Sequence, residues 1–331
     1  MKVARHKTKI RSIAVLCSGG DAPGMNAALR GVVRYGLAKG VTVYGVRKGY
    51  AGLLKGSWDV MDRKSVANII LRGGTILKTD RCPEFLKRAN RKKAVELMRE
   101  SDIDGLVVIG GDGSFRGAHA LWSEFKFPVI GIPGTIDNDI AGTEATIGFD
   151  TAVNTALDAI DKIRDTASAH ERTFIVEVMG RNSGYIALDV GIGGGAEAIL
   201  MPEDKAPVSD IAARIHRGLE RGKTSSIVVM AEGKHSGGSM RLAHELQTRF
   251  GIDAKVCILG HVQRGGSPTA RDRRLGSIMG VRAVEALLDG FSDAMVGVRG
   301  DSEVLVPILD TVKRSSKIRR DLIELAKILA T

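Results

Sequence analysis

Residues 13–38 read IAVLCSGGDAPGMNAALRGVVRYGLA. Five apolar residues, 13–17, run into a glycine pair, and a helical pattern follows at once. An apolar run without alternation suits a strand whose sheet is covered on both faces. In the helical part, Leu29, Val32, Val33 and Leu37 fall on one face. Strand, tight turn and helix form the first part of a βαβ unit. The pattern recurs. Apolar runs stand at residues 41–46, 106–109, 129–132, 174–179, 227–231 and 256–260, each bounded by Gly, Pro or a charge. Between them lie helical patterns such as TAVNTALDAIDKIRD, residues 151–165, in which Val153, Leu157, Ile160 and Ile163 share a face. This order predicts an α/β chain with open, mostly parallel sheets.

The chain has 331 residues, and domains run roughly 100–200, so two domains or one large one are expected. Apolar residues make up 44% of it, enough for a sizeable core. Forty-one glycines against eight prolines point to many tight turns, not to disorder. The formal charge of +11 suits nucleic acid, an anionic membrane or a small polyanionic substrate, and equally a solvated basic surface. Aromatics at 4% are too few for a base-stacking platform, so nucleic acid is not an expected partner. Cys17, Cys82 and Cys257 are odd in number and far apart, which argues against a disulfide framework or a zinc site. The chain therefore reads as cytoplasmic. No apolar run approaches the roughly 18 residues of a membrane span, and residues 13–17 are too short for a signal peptide.

Ligands bind parallel sheets beyond the C-terminal strand ends. Three of the apolar runs enter unusual loops there. In SGGDAPGMN, Gly19 and Gly20 let backbone amides approach a ligand before a helix N-terminus, which favours phosphate. The loop lacks the Gly-Lys-Ser/Thr of a Walker A motif and is not the dinucleotide fingerprint. An ordinary strand–helix turn would look the same. In VVIGGDGS, residues 107–114, Asp112 sits among glycines. It can hold Mg2+ while amides meet phosphate oxygens, or it can cap the next helix. In PGTIDND, residues 133–139, an extended Asp137-Asn138-Asp139 would project both carboxylates the same way. One would serve proton transfer and the other the metal side; a solvated turn is the plainer reading. Three such loops in one chain describe a nucleotide–magnesium site with an acid/base group beside it.

The second half supplies cations. Arg172 and Arg181 flank one apolar run, and His261 and Arg264 follow another. The planar guanidinium forks onto phosphate oxygens, so a sugar phosphate suits them; surface ion pairs are the alternative. His261 reads as a phosphate or hydroxyl donor, not a metal ligand.

With these motifs in order, nearly the whole chain resembles the bacterial ATP-dependent 6-phosphofructokinases. The match runs through SGGDAPGMNAALRGVVR, GGT with RCPEF, VVIGGDGS, PGTIDNDIAGTEATIGFDTA, AHER, VEVMGR, AEG and LGHVQRGGSP. The resemblance implies two Rossmann-like three-layer domains with the active site between them. Residues 1–148 with 263–310 would bind ATP, and residues 149–262 with 311–331 the sugar phosphate. It implies transfer of the ATP γ-phosphate to the 1-hydroxyl of fructose 6-phosphate, the committed step of glycolysis, with Mg2+ as cofactor. Gly20, Arg81, Cys82, Gly111, Asp112, Gly113 and Ser114 would line ATP, with Asp112 on the metal. Thr135, Asp137 and Asp139 would face the sugar hydroxyl, with Asp137 as base and Arg181 also in the catalytic set. Met179, Gly180, Arg181 and Glu232 would hold the sugar, joined by Arg172, His261 and Arg264. Some of these come from a neighbouring subunit in the family, so a homotetramer is expected. Lys255 stands where many members have Arg, and a lysine cannot fork.

Pyrophosphate-dependent relatives commonly carry Asp after the GGD aspartate and Lys before the threonine of TIDND. Here those positions are Gly113 and Gly134, which leaves room for ATP. The family's effector site, for ADP or phosphoenolpyruvate, is matched by Arg30, Arg34, Arg164 and Lys223, with Glu197 as its carboxylate. Arg30 and Arg34 stand at i, i+4 and can reach one anion. Alternatives are a pyrophosphate-dependent enzyme, a kinase of a related hexose phosphate such as tagatose 6-phosphate, and an NAD or lipid kinase. A basic nucleotide- or nucleic-acid-binding protein is the non-enzyme alternative.

Overall fold

The computed structural model describes residues 2–169, 172–204, 206–233, 237–313, 316 and 318–330. The chain divides into two compact units: Met1–Ile136, Ile140–Thr151 and Arg264–Ser316 form the first, and Asp137–Asp139, Ala152–Gln263 and Lys317–Thr331 the second.

The chain begins with β1 (Ala4–Arg5), β2 (Ser12–Ser18), α1 (Met25–Ala38), β3 (Thr42–Val46), α2 (Gly49–Leu53) and β4 (Trp58–Met61). It continues through α3 (Arg88–Glu100), β5 (Gly105–Gly110), α4 (Asp112–Phe125) and β6 (Val129–Pro133). Helix α5 (Phe149–Ala169) leads into the second unit, which holds β7 (Thr173–Val178), α6 (Tyr185–Gly193), β8 (Ala198–Leu200), α7 (Val208–Glu220), β9 (Ser226–Ala231), α8 (Gly238–Phe250) and β10 (Ala254–Ile258). The chain returns with α9 (Ala270–Leu288), β11 (Phe291–Ser292), β12 (Ala294–Arg299), β13 (Ser302–Pro307) and α10 (Ile308–Lys313), and ends on α11 (Arg320–Leu329) in the second unit.

The first unit carries a seven-stranded sheet in the order β13-β12-β6-β5-β2-β3-β4. Its five inner strands are parallel, and β4 and β13 add antiparallel edges. The second unit carries a four-stranded parallel sheet, β10-β7-β9-β8. Strands β2, β5, β6 and β9 are buried along their whole length, as unbroken apolar runs require when helices cover both faces. Phe115, Leu106, Val108 and Met98 lie in the first core. Ile175, Val228, Met230 and Leu246 lie in the second, and α11 buries Ala326 on a satellite cluster with Leu188 and Met201.

One buried carboxylate fixes the start of α5. Asp272, 1% exposed, accepts hydrogen bonds from the backbone N–H of Gly148 (2.9 Å) and Thr151 (2.8 Å) and from the Thr151 hydroxyl (2.6 Å). Gly148 has φ 102, and a Cβ there would stand 2.6 Å from Ala22 Cβ, so only glycine serves. Burial holds the Asp272 carboxyl above its usual range despite these donors. A raised carboxyl favours the folded state most below its unfolded pKa, about 4, and loses that contribution as pH rises through the folded value. Asp272→Ala strands two backbone donors in the interior, and we expect it to lower unfolding stability by about 2–5 kcal/mol. Urea denaturation checks the loss; a change under 1 kcal/mol would mean that the turn holds without Asp272.

Candidate active site

Strands β2, β5 and β6 are neighbours, and Ser18, Gly110 and Pro133 stand level across them. Their three loops therefore leave the C-terminal edge of one sheet side by side. Gly20, exposed at the first loop, lies under the Arg264 guanidinium: a Cβ on Gly20 would meet Arg264 Nη1 at 2.6 Å. Arg264 also donates to the Asp21 carbonyl (3.2 Å). The structure thus places Arg264 beside the SGGD loop of the first unit.

In the second loop, Gly111 is the residue before α4, and Asp112, Gly113 and Ser114 form its first turn. No side chain caps this helix, so the helix-capping reading of Asp112 fails. Its carboxylate instead pairs with Arg116 one turn on (3.1 Å) and remains partly exposed. Gly113 is exposed, and a Cβ added there would meet nothing within 4 Å. Tyr50 donates its hydroxyl to the Ser114 carbonyl (2.6 Å) and stacks on Phe85 at 4.1 Å. That stack ties the segment of Arg81 and Cys82 to the glycine loop, since Cys82 directly precedes the turn Pro83–Leu86. Arg81 is exposed and Cys82 half-buried.

Thr135 is buried in the third loop and donates its N–H to the Ile147 carbonyl (3.1 Å). Gly134 differs from Gly113. A Cβ at Gly134 would stand 3.0 Å from Met25 Cε and 3.1 Å from Ile109 Cγ2. A side chain at Gly134 would need these neighbours to give by a few tenths of an ångström, while one at Gly113 would not. The stretch 137–139 is also not extended. Asn138 adopts the left-handed conformation at φ 50, which Asn tolerates better than most residues, and the chain turns there. Asp137 ends up 5% exposed and Asp139 half-buried, in unlike surroundings. The Asp137 carbonyl accepts a long hydrogen bond from Ser183 Oγ at 3.5 Å.

In the second unit, residues 179–181 follow β7, Glu232 follows β9, and residues 259–261 follow β10. These strands are adjacent, so the three segments share the C-terminal edge of that sheet. Met179 is buried and Arg181 exposed. Glu232 Oε1 accepts from the N–H groups of Gly180 (3.3 Å) and Arg181 (2.7 Å). His261 is exposed in the turn Gly260–Arg264. Arg172 and Lys255 lie elsewhere. Arg172 directly precedes β7, and Lys255 pairs in register with Phe174, the second residue of β7. Six residues of strand, about 20 Å, separate this edge from Arg181. Both side chains are exposed, and Lys255 pairs with Asp253 at 2.9 Å.

The effector candidates divide between the units. Arg30 and Arg34 share a face of α1, and burial, with the Arg34 charge second, lowers the Arg30 guanidinium from its usual range. Glu197, 4% exposed, accepts from Lys223 Nζ (3.3 Å) and from the Ile227 N–H (2.6 Å). Arg164 donates to the carbonyls of Gly194 and Gly195. Around Glu197 and Lys223 a cavity of about 100 Å³ is also lined by Arg214, Arg217 and Arg221. These arginines escaped the sequence reading, although their three- and four-residue spacing on one helical segment was the available signal.

The phosphofructokinase family profile matches residues 12–287. The chain belongs to the phosphofructokinase family. It is 53% identical over 321 residues to the ATP-dependent 6-phosphofructokinase of Thermotoga neapolitana, covering 97% of this chain and 100% of that one. A Thermus thermophilus ATP-dependent 6-phosphofructokinase 1 is likewise 53% identical over 322 residues, at the same coverage. Among solved structures, Pichia pastoris phosphofructokinase superposes with a TM-score of 0.87 at 37% identity over 98% of this chain. The chain spans 39% of that longer yeast protein. A pyrophosphate-dependent phosphofructokinase from Marinobacter aquaeolei shares the fold, with a TM-score of 0.85 at 22% identity over 94% of this chain and 86% of its own. The phosphofructokinase fold thus accounts for both sheets. Among the described residues, no helix is long and apolar enough to cross a membrane.

Proposed function

We propose that the chain transfers the γ-phosphate of ATP to the 1-hydroxyl of fructose 6-phosphate, giving fructose 1,6-bisphosphate and ADP in the cytoplasm. The observation that carries this reading is the levelling of three glycine-lined loops on adjacent parallel strands. Gly20, Gly111, Gly113 and Ser114 line the nucleotide phosphates, with Arg81 and Cys82 beside them. The open space over Gly113 supports ATP as donor.

Among the described residues no three His, Cys, Asp or Glu side chains gather to enclose a cation. A single accessible carboxylate beside a phosphate loop fits Mg2+, which takes most of its ligands from phosphate and water. Asp112 would hold it, and the bound ion would neutralise phosphate charge.

Phosphoryl transfer has a loose transition state, so positioning and charge neutralisation dominate. The substrate oxygen attacks the γ-phosphorus, the bond to ADP breaks, and the hydroxyl proton passes to Asp137. Asp139 and Thr135 flank this base in sequence. Arg181 neutralises charge and, with Met179, Gly180, Glu232, His261 and Arg264, holds the sugar phosphate. Glu232 does so through the amides of residues 180 and 181. Incubation of the purified protein with ATP or pyrophosphate and a panel of hexose phosphates tests the reading. Fructose 1,6-bisphosphate from ATP is expected; turnover with pyrophosphate alone, or preference for tagatose 6-phosphate, would overturn it.

Arg172 and Lys255 lie at the opposite edge of their sheet from Arg181. That placement supports a homotetramer in which a neighbour's Arg172 and Lys255 complete the sugar-phosphate site. Ile258 and Val262, 57% and 62% exposed on the edge strand and its following turn, give such a contact an apolar surface. Arg30, Arg34, Arg164, Glu197 and Lys223 form the site for ADP or phosphoenolpyruvate across subunits. Native mass measurement is expected to find four chains, and either effector to shift the fructose 6-phosphate saturation curve. A monomer, or curves unmoved by both effectors, would remove these two assignments.

A further inference from the structure

Residues 179–181 form an unusual piece of backbone. Gly180 lies at φ 151, where a Cβ would stand 2.4 Å from the Ser183 carbonyl oxygen. Arg181 is left-handed at φ 59, a conformation that L-residues other than Asn and Asp rarely adopt. Such backbone persists only where its surroundings over-determine it. Here three consecutive N–H groups are each taken by a side-chain acceptor. Glu232 takes those of Gly180 and Arg181. Gln263 Oε1 takes that of Met179 at 2.8 Å.

Gln263 is 0% exposed. Its other end, Nε2, donates to the Ala152 carbonyl at 3.4 Å. Ala152 and Gln263 are the first and last residues of the long segment that builds the second unit. One amide therefore ties the two ends of that segment to each other and to the loop that carries Arg181. The two partners also set its orientation: Met179 N–H needs an acceptor and Ala152 C=O needs a donor. Glutamate meets only the first need when ionised and both when protonated. Methionine has similar length and meets neither well.

We propose that Gln263 is a positioning residue for the sugar-phosphate loop. It touches no substrate. Through the Met179 backbone it holds Arg181 in its left-handed pose, and so controls affinity for the sugar phosphate but not for the nucleotide. This inference rests on the fructose 6-phosphate reading, and its test separates the two.

Gln263→Met and Gln263→Glu are compared with the wild-type protein by steady-state kinetics and by hydrogen exchange of the Met179 amide. Gln263→Met is expected to raise KM for fructose 6-phosphate at least tenfold, with KM for ATP within twofold. Gln263→Glu is expected to lie between the two at pH 8 and to move toward wild type as pH falls to 6, because protonation restores the missing donor. The Met179 amide is expected to exchange at least tenfold faster in Gln263→Met, with the β7 interior unchanged. Equal fructose 6-phosphate KM in all three proteins, or parallel rises for both substrates, would overturn the proposal. So would an unchanged Met179 exchange rate. Should wild type not phosphorylate fructose 6-phosphate, the functional reading fails, and the exchange measurement still decides whether Gln263 holds the loop.

Discussion

Asp137→Asn is expected to lower kcat by about 10²–10⁴-fold, the usual loss on removing a general base. Asparagine keeps the size of the side chain and one acceptor oxygen, so the 5%-exposed site needs little repacking. What it loses is the ability to take a proton. KM for fructose 6-phosphate should therefore change far less than kcat, the signature of a contact used in the transition state. Asp139→Asn is the internal comparison. The turn at Asn138 gives the two carboxylates different surroundings, so their substitutions should not have equal effects. Single-turnover measurement of ADP release at saturating substrates reads the chemical step. Near-normal release from Asp137→Asn would end its assignment as the base, whatever Asp139→Asn does.

Gly113→Asp is expected to cut kcat/KM for ATP by about 10²-fold or more. Like charges forced together across an interface cost several kcal/mol, and about 3 kcal/mol is already two orders of magnitude. The fold should tolerate the change. A Cβ at Gly113 meets nothing within 4 Å, and an acidic residue in the first turn suits the positive helix end. Gly113→Ala separates space from charge: it fills the same first position without the carboxylate and should stay within a few-fold of wild type. If Gly113→Asp used ATP as well as wild type, this loop would not carry the nucleotide phosphates. Gly134 is the poorer probe, because a Cβ there would press on Met25 Cε at 3.0 Å and Ile109 Cγ2 at 3.1 Å, so packing and ligand effects would mix.

The inner sheets were legible because their strands are unbroken apolar runs ended by glycine or proline. Edge elements were less so, although the edge strand β10 was found from its apolar run. β4 exposes Val60 at 64%, and β8 has three residues, so neither shows the pattern of a doubly covered strand. β13 opens on the exposed polar pair Ser302 and Glu303, and its inner neighbour β12 went unread although its first four residues are buried. In the candidate site, the residue types and their loops were readable, but their local shapes were not. The segment 137–139 looks extended on paper and is a turn. Gly113 and Gly134 look alike in sequence and differ in what surrounds them. Asp272 stood outside the motifs, and Gln263 lay inside LGHVQRGGSP with nothing in the sequence to show that it is buried against backbone groups.

From the order of residues alone come the alternation of strand and helix, the three glycine-lined loops at strand ends, and the supply of carboxylates and cations. These depend on periodicity and on backbone freedom, which act within a few residues. Only the folded chain decides that Ser18, Gly110 and Pro133 stand level, that Lys255 pairs at the start of β7 and so joins the edge of Arg172, and that Gln263 grips the loop of residues 179–181. Those facts follow from strand order and close packing, which join residues far apart in sequence, Ala152 and Gln263 by 111 positions and Asp21 and Arg264 by 243, and no local propensity encodes them.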